Sequence, residues 1–125
     1  FSDARSLERL EQIMHPRIMG TIHELVDARP SDDIVIEVPI LPLIMDTPFL
    51  MSDNFVRVAV VADDRTRLAR AVARGGEASD IARRMNLQAS DSAWRSWADV
   101  VVDNSDSWTA TEAAVIALIE GHKHG

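Results

Sequence analysis

Cysteine is absent from the 125 residues, which excludes disulfides and thiolate metal sites. Tyrosine is absent too, and aromatic residues make up only 5% of the chain. No apolar run is long enough to span a bilayer; the longest, Val38 to Met45, holds two prolines. No charged stretch followed by an apolar core opens the chain, so no signal peptide is visible, although the first residue is Phe1 and not Met. These absences read together as a cytoplasmic protein. Net positive charge is missing as well: the formal net charge is −7. Affinity for nucleic acid rests on neutralising phosphates, so the sequence reads as a poor general nucleic-acid binder.

What is present is an apolar fraction of 46%, enough for the core of one compact domain. The basic residues are unevenly spread. Arg65, Arg67, Arg70, Arg74, Arg83 and Arg84 fall within one short stretch, and guanidinium forks match phosphate oxygens well. The alternative is a solvated helix face.

Leu7, Leu10, Ile13 and Met14 recur at helical intervals, and His15-Pro16 predicts a break, with a second helix from Pro16 to Ala28. The period then changes. Asp33 to Ile40 is β-branched and nearly continuous, which predicts a buried parallel strand over Ile34–Val38. Leu41 to Asn54, with Pro42 and Pro48, reads as a loop with one helical turn. Val56 to Ala62 is a second buried strand. Asp63-Asp64 caps a helix that Gly75-Gly76 ends, and short helices follow over Ala78–Leu87 and Ser90–Trp97. Val100 to Val102 is a third strand, and Trp108 to Ile119 a last helix with a frayed tail. Buried strands alternating with helices predict an α/β layered fold with a parallel sheet.

Three segments carry a more specific signal. LEQIMHPRI (Leu10–Ile18) precedes VIEVPIL (Val35–Leu41); VRVAVVADDRTRLARAVARGG runs from Val56 to Gly76; LQAS (Leu87–Ser90) precedes ADVVVDNSDS (Ala98–Ser107). In this order and spacing they resemble the dephospho-CoA kinase family, over nearly the whole chain. The resemblance implies a three-layer P-loop NTPase-like parallel sheet, N-terminally incomplete here, with helical CoA-side segments and a lid over about residues 74–97. It implies phosphorylation of the ribose 3′-hydroxyl of dephospho-CoA by ATP with Mg2+. It also implies site residues: Arg74 and Arg70 on the helix entering the lid, Arg83 and Arg84 within the lid, and Asn104 in the turn near adenine. Glu37, at the end of the first predicted strand, is a candidate for substrate or magnesium-bound water.

The resemblance is incomplete. No G-x-x-x-x-G-K-[ST] loop occurs, so the main phosphate cradle is missing from these residues. The chain alone is therefore expected not to turn over. Asp91 and Trp94 stand where the family carries arginines, and Gly75 where it carries aspartate. A strand missing between Ile34–Val38 and Val56–Val61 leaves self-association through exposed strand edges open. Two alternatives stay open beside the kinase: a non-catalytic relative that binds a CoA-like ligand or a protein partner, and a nucleotide or nucleoside kinase of the same fold. The histidines offer no metal site: His15 reads as a helix-break residue, and His23, His122 and His124 lack ligand spacing.

Overall fold

A computed structural model describes residues 4–123. It divides into two units, residues 1–53 and residues 54–125.

The first unit holds α1 (Ala4–Asp27), α2 (Leu41–Met45) and a short 3₁₀ helix (Pro48–Met51). The expected break at His15-Pro16 does not occur, and α1 runs through Pro16 as one helix of 24 residues. The apolar ladder explains this. Leu7, Leu10, Met14, Ile18, Ile22 and Leu25 recur every three or four positions on both sides of the proline. Pro16 removes only the donor that would close on Gln12, an exposed residue whose carbonyl water can take. His23 stacks on Phe49 with ring centroids 4.2 Å apart. Met19, Leu41, Ile44 and Leu50 are the buried apolar residues among those described in this unit.

The strand expected over Ile34–Val38 is absent; residues 33–40 are irregular, and Val35 is 95% exposed. A β-branched run forms a ladder only when another strand takes its N–H and C=O groups. Among the described residues nothing pairs with it, and Pro39 removes one donor.

The second unit is the α/β part. Its order is β1 (Val58–Val61), α3 (Asp64–Ala73), α4 (Ala78–Met85), α5 (Asp91–Trp97), β2 (Val100–Asp103) and α6 (Trp108–Lys123). The two strands pair in parallel, Val58 beside Val100 through Val61 beside Asp103. Parallel neighbours need a long crossover, which α3, α4 and α5 supply. The parallel sheet is as expected, but its strands are not buried on both faces. Ala59, Val61 and Val102 are buried, whereas Val60 is 64% exposed, so the burial alternates with period two. α5 packs on β1 and α6 on β2. Trp94 and Trp97 meet edge to face within α5, 5.7 Å between centroids. The tail expected to fray continues α6 to Lys123, while His124 and Gly125 lie outside the described residues.

Candidate functional site

Each strand of the sheet ends in a polar turn, and the two turns are tied together. The Asn104 N–H donates to Val61 O at 2.7 Å, and the Asp63 N–H donates to Ser105 Oγ at 3.0 Å. Asp63 caps α3 by accepting the Thr66 N–H (2.8 Å) and its hydroxyl (2.7 Å), and these bonds hold its carboxyl below the usual carboxylate range. The cap fixes where α3 starts, and so which of its residues face the strand ends.

α3 then carries Arg67, Arg70 and Arg74 at intervals of three and four, a spacing that places them on one side. With Arg84 and Met85 of α4, Gln88, Ala62 and Asn104 they line an open cleft of about 400 Å³. Ala62 and Asn104 directly follow β1 and β2. The cleft therefore lies at the carboxyl ends of the parallel strands, where open α/β sheets bind ligands.

The four arginines are held differently. Arg70 donates from Nη1 to Asn104 O (2.5 Å) and from Nη2 to Asp106 O (3.1 Å), so it clamps the turn after β2. Arg67 donates to Gln88 Oε1 and, at 3.3 Å, to Asp64. Arg84 Nε lies 2.9 Å from Asp80 Oδ2. The Arg74 guanidinium, at the C-cap of α3, has no hydrogen bond or ion pair among the described residues. It is the cation most available to an incoming anion.

The residues singled out in the sequence thus divide. Arg70, Arg74, Arg84 and Asn104 come together at the cleft. Arg83 does not line it; on the neighbouring position of α4 it pairs with Asp80 Oδ1 at 2.5 Å, because consecutive helical residues diverge by about 100°. Glu37 is exposed in the irregular segment of the first unit and does not end a strand, since that strand is not formed. Arg67, named only as one of the clustered arginines, and Gln88, given no site role, also line the cleft; the interval from Arg67 to Arg70 and Arg74 is the signal that finds the first of them.

Two of the three departures from the family pattern, Gly75 and Asp91, have local explanations. Gly75 adopts φ +93°, and the Gly75 and Gly76 N–H groups return to Val72 O (2.9 Å) and Ala71 O (3.1 Å). That is a Schellman ending, which wants glycine at its left-handed position. Asp91 lies in the first turn of α5, where the helix dipole favours a carboxylate, and accepts Arg95 Nε at 2.6 Å. Arg95 also reaches Asp103 Oδ2 at 3.4 Å.

For a metal the residues offer less. His23 has Asp27 at 3.5 Å, but among the described residues no cluster of three His, Asp or Glu side chains could hold an ion. The donor set present does not by itself make a magnesium site.

The sequence pattern of the family described as dephospho-CoA kinase matches residues 1–110. The chain belongs to the dephospho-CoA kinase family. The dephospho-CoA kinase of Mycolicibacterium paratuberculosis is 36% identical, over 86% of this chain and 26% of that protein. That of Thermobifida fusca is 31% identical over 96% of this chain and 59% of its own length, and that of Cutibacterium acnes 33% identical over 84% and 46%. The chain thus spans between about a quarter and three-fifths of these relatives. No solved structure matches it. The parallel sheet with a cleft at its strand ends agrees with a P-loop kinase-like α/β fold. No helix among the described residues is long and apolar enough to cross a membrane.

Proposed function

We propose that this chain contributes the nucleotide-side cleft of a cytoplasmic dephospho-CoA kinase, which transfers the ATP γ-phosphoryl group to the ribose 3′-hydroxyl of dephospho-CoA. The observation that carries this is the convergence of Arg67, Arg70, Arg74 and Arg84 with Asn104 at the carboxyl ends of β1 and β2. Phosphoryl transfer depends on neutralising phosphate charge and on positioning. Arg74, without a protein partner among the described residues, takes the phosphates first, and Arg84 joins by exchanging an exposed Asp80 contact for a phosphate. Arg70 keeps the Asn104 turn in place, and Asn104 meets the adenine. Residues 74–97 form the lid.

ATP fits this donor set; its phosphates supply the anions the guanidinium groups can pair. Magnesium, if it enters with ATP, finds no protein cage among the described residues, and no step here runs through it. Transfer also needs a glycine-rich phosphate cradle, which these 125 residues do not contain.

Two measurements test the reading. A thermal-shift panel with ATP, dephospho-CoA, CoA and common nucleosides should show stabilisation by ATP and dephospho-CoA; stabilisation by a nucleoside alone would favour another acceptor. An ADP-release assay on the 125-residue chain with ATP and dephospho-CoA should stay silent, and steady turnover would overturn the division of labour proposed. Partners extend the proposal in one way. Among the described residues β1 and β2 pair only with each other, so self-association through the open edges is expected to appear in sedimentation velocity as a concentration-dependent dimer.

A further inference from the structure

Asn104 is fixed at three atoms by three different elements. Its N–H donates to Val61 O of β1 (2.7 Å), its carbonyl accepts Arg70 Nη1 of α3 (2.5 Å), and its side-chain Oδ1 accepts Thr111 Oγ1 of α6 (2.9 Å). Thr111 is 7% exposed, a buried polar residue on a helix otherwise rich in alanine, valine and isoleucine. A hydroxyl is costly to bury unless it is bonded. Thr111 has one proton to give and two acceptors in reach, Asn104 Oδ1 at 2.9 Å and Ser107 O at 3.4 Å. Ser107 O already accepts the Thr111 N–H, so the shorter bond takes the proton.

The consequence is directional. With Oδ1 drawn toward Thr111, the planar amide turns its other branch, Nδ2, away from α6. Nδ2 has no partner among the described residues, and Asn104 lines the basic cleft. We propose that Thr111 is a positioning residue, which holds the Asn104 amide with its N–H donors toward the cleft so that it binds an acceptor nitrogen on the base of a purine nucleotide. This rests on the cleft being the nucleotide site. A donor locked before the ligand arrives loses little freedom on binding, and a freely rotating amide would present oxygen as readily as nitrogen.

The test is NMR on the protein, reading the Asn104 side-chain NH₂ and the arginine Nε–H resonances, with ATP and inorganic tripolyphosphate as probes. Both probes should shift the Arg67 and Arg74 Nε–H signals, and only ATP should shift the Asn104 NH₂. Thr111→Val, close to isosteric, should weaken ATP about fivefold, as expected for one modest hydrogen bond, and leave tripolyphosphate unchanged. Thr111→Ser should restore ATP affinity, which a purely structural role in packing the methyl group would not. Equal weakening of both probes, an unchanged ATP affinity in Thr111→Val, or arginine shifts with ATP while Asn104 stays still, would each overturn the inference. No arginine shift with either probe would instead overturn the nucleotide reading of the cleft, and this inference with it.

Discussion

The Asp99 carboxylate accepts both the backbone N–H of Arg57 (2.9 Å) and its guanidinium, at Nε (2.9 Å) and Nη2 (2.6 Å). The Asp99 N–H returns to Arg57 O at 2.9 Å. Arg57 and Asp99 immediately precede β1 and β2, so this pair sets the parallel register one residue before Val58 meets Val100. The Arg57 side-chain bonds, followed by its backbone N–H, depress the Asp99 carboxyl from 3.8 to about 2. A carboxyl more acidic in the folded than in the unfolded chain stabilises the fold above its unfolded value, and that contribution fades as pH falls toward the folded value. Thermal melts should therefore lose stability between 3.8 and about 2. Asp99→Asn should melt lower at neutral pH and show a shallower acid slope in that window; an unchanged slope would mean that the pair does not govern the register.

How much of this was readable beforehand depends on where the deciding contact lies. Capping by Asp63 and the stop at Gly75-Gly76 are local chemistry, and both appeared as expected. The strands at Val58–Val61 and Val100–Asp103 appeared because each finds the other. The Ile34–Val38 run is likewise rich in β-branched residues and stayed irregular, since a ladder is a property of two segments. Pro16 misled for a related reason. A local penalty of about 3 kcal/mol lost to an apolar face that continues past it. At the cleft, the arginine spacing was visible, but Thr111 was not. Its importance comes from Asn104 across the fold, and no periodicity announces a buried hydroxyl.

Arg74 is the cleft cation without a protein partner among the described residues, and Arg83, which diverges from Arg84 on α4, lies outside the cleft and pairs with Asp80. Arg74→Ala should weaken tripolyphosphate binding about tenfold, in keeping with loss of a charge-assisted hydrogen bond. Arg74→Lys should recover only part, because an ammonium cannot form the planar fork. Arg83→Ala should change affinity much less. Isothermal titration of the three variants checks this; equal losses at Arg74 and Arg83 would point to diffuse charge attraction rather than a built cleft.

Val102 is 2% exposed while Val60, its register partner on the same face, is 64% exposed, so this face of the sheet is covered over β2 and open over β1. Val102→Ala should cost roughly 2 kcal/mol in urea unfolding, from lost apolar burial and the space left behind. Val60→Ala should stay within about 0.5 kcal/mol, as surface changes usually do. A large loss at Val60 would show that its face of β1 is covered in solution.

Gly75 and Gly76 shape the exit of α3 for different reasons, and the difference is measurable. Gly75 stands at φ +93°, with no atom within 4 Å of where a Cβ would sit, so Gly75→Ala is a purely conformational strain of roughly 1 kcal/mol. Gly76 carries no such φ, but a Cβ there would lie 2.6 Å from Ile81 Cδ1 and 3.1 Å from Ala71 O. Ile81 also lines the basic cleft. Gly76→Ala should therefore push Ile81 and alter anion affinity, while Gly75→Ala should lower the melting temperature and leave affinity nearly unchanged. Melting curves and tripolyphosphate titrations on both variants separate the two effects. If Gly75→Ala also abolished binding, the Schellman turn itself would have to be part of the anion site, with its N–H groups released from Val72 and Ala71 to meet the ligand.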